Sequence, residues 1–161
     1  MQPQRIEPGP GQESVWDYPR PPRLEPTSAH VCVTYDDAVI ADSTNALRIL
    51  ETSQPPAFYI PRADVNMALL TPSIDQNFCE WKGQASYFDL ADSSLQQVAW
   101  TYDKPDERFA EIAGHLAFYA QKLQCSVDGE AVDPNSGSFY GGWITSNVVG
   151  PFKGSPGSAW W

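Results

Sequence analysis

Basic residues are scarce in this chain of 161 residues: ten Lys and Arg stand against twenty Asp and Glu, a formal net charge of -10. Such a chain repels a phosphate backbone unless a dense basic patch overcomes its own field. Arg20 and Arg23 lie among prolines, and Lys104, Arg108 and Lys122 are spread out and offset by acids, so no such patch is present. Nucleic acid and anionic membrane surfaces are therefore not expected partners, and the charge reads as a solubility feature. Cysteine is sparse as well. Cys32, Cys79 and Cys125 are odd in number and irregular in spacing, which excludes a secreted disulfide framework and a zinc knuckle. No apolar run approaches the length of a membrane span, and no basic-then-apolar leader opens the sequence. A reducing, cytoplasmic setting is the expectation.

Histidine is nearly absent. A metal site would need His30 and His115 to converge from distant segments with Cys or carboxylates; no metal and no cofactor is expected. A serine nucleophile elbow is missing. Gly154-Ser155-Pro156-Gly157 lacks the Lys-Ser/Thr of a phosphate loop and reads as turn glycines.

What is present is proline, aromatic residues and short strand patterns. Fifteen prolines and six tryptophans mark the chain, and seven of the prolines fall within residues 1–29. That stretch reads as a Pro-rich arm, docked on the body through Trp16. The compact domain is expected over 30–133. A Gly- and aromatic-rich tail, 134–161, includes Phe139, Tyr140, Trp143, Trp160 and Trp161, and is expected to pack on the body and bury Trp143.

Within the body, Val31, Val33 and Tyr35 alternate as one face of a strand, and Asp36-Asp37 turns into a second strand from Ala38. Asp42 or Ser43 then reads as the cap of a helix over 43–51, with Ala46, Leu47 and Leu50 on its buried stripe. Ala57–Ile60 reads as a strand, Arg62–Met67 as a helical turn, and Thr71–Gln76 as loop. Strands follow around Phe78–Lys82, Gln84–Leu90 and Gln97–Tyr102. Pro105, Asp106 and Glu107 suit the start of a helix over 106–113. His115–Ala120 is a further strand, and Asp128-Gly129 is the strongest hairpin signal in the chain. The expected fold is α+β and mostly β: bent antiparallel sheets packed on each other, with two or three short helices.

The segments Ala46-Leu-Arg-Ile-Leu-Glu51, Pro56-Ala-Phe-Tyr-Ile-Pro61, Asp64-Val65, Cys79-Glu-Trp-Lys-Gly83, Ala85-Ser-Tyr87, Ala99-Trp100 and Gly114-His-Leu-Ala-Phe-Tyr119 come in an order and spacing that resembles the domain-of-unknown-function 427 family, over about Val31 to Asp128. The tail from Phe139 looks like an extension found in part of that family. The resemblance implies a small, mostly antiparallel β fold with short helices and assigns no activity. A nucleotidyltransferase-like label attached to the family finds no support in these residues: a Gly-Ser loop followed by paired metal-binding aspartates is absent.

Three groups of residues could carry chemistry. Cys79 and Lys82 lie in one short strand-turn, where an ammonium near a thiol would favour thiolate if a bulge brought Lys82 round; a buried Cys79 with a solvated Glu80/Lys82 pair is the plainer reading. Glu51, at the unfavourable end of the expected helix, calls for a cation such as Lys82 or Arg48. Tyr59, Tyr87, Trp100 and Tyr119 all fall on expected strands and could line an aromatic pocket or simply fill the core. Together they suggest a small-molecule site lined by Tyr59, Tyr87 and Tyr119 over a polar floor of Glu51, Cys79 and Lys82. Two alternatives stand beside it: an enzyme with Cys79 as nucleophile or Glu51 as general base, and an interaction protein that forms a homodimer through its tail.

Overall fold

The structure, a computed structural model, describes residues 4–79, 82–134, 141–153, 158 and 161, and the side chains of 75–79 and 134 lie outside that description. In chain order the strands are β1 (Glu13–Ser14), β2 (Arg23–Pro26), β3 (Val31–Tyr35), β4 (Ala38–Ser43), β5 (Leu47–Leu50), β6 (Ala57–Tyr59), β7 (Leu70–Cys79) and β8 (Gly83–Leu90). They continue with β9 (Ala99–Thr101), β10 (Leu116–Phe118), β11 (Gln124–Val127), β12 (Glu130–Ala131), β13 (Asp133–Pro134), β14 (Trp143–Ile144) and β15 (Val148–Val149).

Three sheets build the body: β12-β11-β3-β4, β10-β9-β8-β7 and β2-β5-β6, each paired antiparallel. Strands β9 and β10 of the β7–β10 sheet are buried on both faces, and the alternation of side chains along β8–β10 sorts them into two cores. Phe88, Leu90, Ala99, Leu116 and Phe118 face the β3–β4–β11 sheet, with Val31, Val33, Ile40 and Cys125 opposite. Ala85, Trp100 and Ala117 face the other way, toward Leu47, Ile49 and Tyr59 of the β5–β6 pair.

Turn chemistry sets the two hairpins. Asp36 and Asp37 both take positive φ (51° and 68°), and so do Asp128 (50°) and Gly129 (82°), the backbone that joins right-twisted strands in two residues. Asp128 also ties the body's ends together: its carboxylate accepts from the His30 N–H at 2.8 Å, and its own N–H donates to the His30 carbonyl at 2.7 Å.

The mostly-β expectation holds, but the expected helices are 3-10 turns or strand. Residues 43–51 contain β5, not a helix. Ala46, Leu47 and Leu50 mimic a helical stripe because β5 is buried on both faces, Leu47 and Ile49 toward one core and Leu50 toward another. Ser43 caps no helix. Its hydroxyl accepts from the Asn45 N–H at 3.0 Å and donates to Asp64 at 2.6 Å. Glu107–Ile112 is a 3-10 segment, broken by the non-helical backbone of Phe109 (φ -119°, ψ 23°), although Phe109 and Ile112 are buried as its apolar side. Arg62–Asp64 and Met67–Leu69 are single 3-10 turns. The expected loop over 71–76 is instead part of β7. This strand lies at a sheet edge, where Pro72 costs no ladder bond, and its register shifts between Pro72 and Gln76.

Described segments of the arm and of the tail pack on each other and on the body. β1 runs parallel to β15, β2 is an edge strand on β5, and Val15, Tyr18, Leu50 and Val148 form a small third core. Trp16 is half-buried, its indole N–H donating to the Pro151 carbonyl at 2.8 Å, while the fully buried anchor beside it is Val15. Arg48 reaches out from β5 to Glu13, at 2.8 Å, and to Glu25. Trp143 is 1% exposed; it stacks on Phe58 with ring centroids 5.1 Å apart and donates to the Phe118 carbonyl at 2.9 Å. Of the other tail aromatics, Phe139, Tyr140 and Trp160 lie outside the described residues. Among the described residues no helix is long and apolar enough to cross a membrane.

Candidate functional site

The second core ends in a cluster of aromatic rings. Tyr59 closes β6, Tyr87 lies on β8, Trp100 on β9, Tyr102 just past β9 and Tyr119 just past β10. Each occupies the face its strand's alternation assigns it, so four separate segments deliver rings to one place. Trp100 is at the centre. Its ring meets Tyr59 edge-on (6.1 Å, 87°) and Tyr119 at a tilt (4.6 Å, 45°), and Tyr59 in turn lies 6.3 Å from Tyr102. The Trp100 indole N–H donates to the Tyr59 hydroxyl at 3.2 Å. Tyr59, Trp100 and Tyr102 are buried, whereas Tyr87 and Tyr119 are half-buried. The Tyr119 phenol is pushed well up from its ordinary value, first by burial, then by the neighbouring Tyr87 and the hydrogen bond with its hydroxyl. It is thus a neutral hydroxyl across the physiological range, able to donate as well as accept.

The tail covers part of this cluster. Gly141 lies so close to Trp100 that a Cβ there would fall 2.0 Å from its Cη2, and a Cβ on Gly142 would fall 2.4 Å from the Pro55 carbonyl oxygen. Only a residue without a side chain brings the backbone that near the indole. Lys122 stands at the rim, its ammonium 5.7 Å from the Tyr119 ring centre and bonded to the carbonyls of Gln96 and Gln97.

The sequence candidates divide accordingly. Tyr59, Tyr87 and Tyr119 are brought together with Trp100. Glu51 follows β5 half-buried, and Lys82 sits in the β7–β8 turn, its carbonyl accepting from the Asp106 N–H at 3.3 Å. Among the described residues no hydrogen bond or ion pair joins Glu51 to Lys82. Arg48, the other cation considered for Glu51, is engaged by Glu13 and Glu25 instead. With β5 a strand, no helix dipole acts on Glu51. Cys79 ends β7 opposite Gly83; its side chain, like the whole of Glu80 and Trp81, lies outside the described residues. The other two thiols are poor nucleophiles. Burial pushes Cys125 up to about 12, and burial with the nearby Asp42 raises Cys32. His30 pairs with Asp42 at 2.6 Å, and among the described residues no group of three or more His, Cys, Asp or Glu could hold a metal ion.

Tyr102 and Gly141 were not singled out from the sequence. Tyr102 follows Trp100 by two residues on a strand and so shares its face, a signal that was available. Nothing local marks Gly141, whose role depends on where the tail crosses.

A mostly-β domain of three antiparallel sheets, with an aromatic cluster between two of them, is the class these observations define. The chain belongs to the family described as a domain of unknown function, DUF427, whose model matches residues 23–132. No curated protein matches it.

Proposed function

We propose that the protein binds a small, planar, uncharged molecule at the Tyr59–Tyr87–Trp100–Tyr119 cluster. The observation that carries this reading is the convergence of tyrosine hydroxyls and an indole from four segments onto one cluster, buried at Tyr59 and Trp100 and half-buried at Tyr87 and Tyr119. A filled apolar core has no need of so many polar tips, whereas a ligand site uses rigid aromatic walls with a few hydroxyls to orient its occupant. The rings themselves carry no ionised group, since Tyr119 is held neutral, and the Lys122 ammonium at the rim is engaged by the carbonyls of Gln96 and Gln97, so a charged ligand among the rings would lose hydration for little return. The rings alone carry this reading, which does not require the polar floor of Glu51, Cys79 and Lys82. A homodimer through the tail is the weaker reading, because Trp143, the tail's most deeply buried described aromatic, is inserted in its own chain's core.

The test is native mass spectrometry of freshly purified protein against a denatured control, followed by tryptophan-fluorescence titration with uncharged heteroaromatic fragments. Retained extra mass, or saturable quenching that Tyr119→Phe weakens roughly two- to tenfold through one lost hydrogen bond, supports the site. Fragments that bind Tyr119→Phe and Tyr87→Phe as tightly as the parent chain would place them elsewhere and end the proposal.

A further inference from the structure

A second cleft, of about 460 Å³, opens on the β7–β8–β9 sheet and shares only Tyr87 with the aromatic cluster. Its chemistry is different. Arg62, from the first 3-10 turn after β6, stands at its wall with Pro72, Ser86, Phe88, Asp103 and Gly114. The Arg62 side chain is held from two directions. Its Nε donates to the Gly114 carbonyl at 3.1 Å, and its guanidinium carbon lies 5.7 Å from the centre of the Phe88 ring. These contacts use Nε and one face of the plane, and leave the edge that carries Nη1 and Nη2. The nearest carboxylate oxygen to that edge belongs to Asp103, at 3.9 Å from Nη2, beyond hydrogen-bond distance. Among the described residues neither Nη has a hydrogen-bond partner. An oriented guanidinium with its fork unspent is the group that recognises a carboxylate through two parallel N–H···O bonds. Other cations of this chain are spent otherwise: Arg5 on Asp17, Arg48 on Glu13 and Glu25, Lys122 on carbonyls.

We propose that this cleft binds the carboxylate of a small organic acid, bidentate on Arg62, with the Ser86 hydroxyl beside it and the acid's apolar part toward Pro72 and Phe88. Asp103 acts against this ligand. It repels the incoming anion and holds Arg62 only weakly, because the pair is long and its side chains are 43% and 66% exposed. The opposition gives the proposal a signature that simple surface adsorption lacks: removing one charge weakens binding, and removing the other strengthens it.

The experiment is an amide NMR titration of the full chain with benzoate, at ionic strength held constant with chloride, beside the neutral isostere benzamide. Saturable benzoate shifts at Ser86, Thr101 and Gly114 are expected, with benzamide weaker by roughly tenfold or more, the worth of a charge-assisted hydrogen-bonded pair. Arg62→Gln abolishes the shifts, Arg62→Lys keeps the charge but loses the fork and weakens binding, and Asp103→Asn tightens it a few-fold. Spectra elsewhere unchanged in Arg62→Gln show that the fold survives; if they change, Arg62→Lys and Asp103→Asn still decide. No saturable shift with benzoate or butyrate, equal binding of benzamide, or unaltered affinity in Arg62→Lys and Asp103→Asn overturns the proposal. Benzoate shifts centred on Tyr59, Trp100 and Tyr119 would also overturn it, and would show that the aromatic cluster takes an anion; benzamide shifts there, with none from benzoate in the cleft, would overturn it while leaving the aromatic site standing.

Discussion

The two ends of the chain are held to the body by different physics. The N-terminal arm lies against body and tail through main-chain bonds and exposed or half-exposed polar contacts: the Glu13 N–H to the Asn147 carbonyl, Arg48 to Glu13, Arg20 to the Thr52 carbonyl, the Thr52 hydroxyl to the Tyr18 carbonyl. Its apolar anchor is a core of only four buried residues. The stretch Gly141–Trp143 enters the main core. Trp143 stacks on Phe58, and Gly141 presses on Trp100. Since the family-matched residues end at 132, the body's core is completed by a side chain from outside the matched stretch. An arm held this way trims the surface; a tail held this way is part of the fold.

The sharpest way to break this contrast is to truncate one indole at each end. Trp143→Ala removes a fully buried ring and leaves the Phe118 carbonyl without its donor, a cost of about 3–5 kcal/mol. For a domain of this size that lowers the melting temperature by roughly 10 °C. Trp16→Ala loses one hydrogen bond and a half-buried ring contact, about 1 kcal/mol. Thermal or urea unfolding of both variants checks this, and equal losses would mean that the arm is as integral as the tail.

A smaller effect is expected at Gly141. Gly141→Ala must displace either the tail or the Trp100 ring, since its Cβ would overlap Cη2, Cζ3 and Cζ2 at 2.0, 2.6 and 2.9 Å. Overpacking of this kind costs about 1–3 kcal/mol. If the tail gives way, Trp100 becomes more exposed and tryptophan emission shifts to the red; unchanged stability and emission would show that the tail does not bear on the indole.

Much of this architecture could be read from the sequence, and the failures have physical causes. Both hairpins were legible because Asp36-Asp37 and Asp128-Gly129 accept positive φ. β5 was misread as helix because a strand buried on both faces loses the period-2 signal, and Leu47 and Leu50 then fit a helical stripe by accident. The start of β7 was misread as loop because Pro72 is a strand breaker everywhere except at an edge, and edge position is a property of the sheet, not of the residue. For the site, strand parity told which way Tyr59, Tyr87, Trp100 and Tyr119 point, but which strands become neighbours is settled by long-range pairing. The Glu51–Lys82 pair rested on a helix dipole that disappears once residues 47–50 are extended. Arg62 gave no sign at all, because its importance lies in what Gly114 and Phe88 do to it from distant positions.

Alkaline pH separates arm from body most finely. Cys125, in the main core, is pushed from its ordinary 9.0 up to about 12 by burial, and Tyr18, at the arm's anchor, is raised from 10.0 by burial and then by its hydrogen bond to Glu13. Both are neutral when folded and ionise more readily when unfolded, so unfolding releases protons and stability falls as pH rises. Below pH 9.0 the stabilisation from Cys125 is whole; from there toward about 12 it is lost at about 1.4 kcal/mol per pH unit. The loss from Tyr18 begins one unit later, at 10.0. Urea unfolding followed from about pH 8 to about pH 11 resolves the two, since Cys125→Ala should flatten the slope from its onset and Tyr18→Phe only in its upper part. The comparison is between slopes, so the small cavity left by Cys125→Ala cancels. If Tyr18→Phe leaves the upper slope untouched while Cys125→Ala removes its share, the arm has already lifted before the body unfolds, and its contacts add nothing to global stability. If each variant removes its own share, arm and body unfold together, and the arm's polar contacts are as cooperative as the core they lie on.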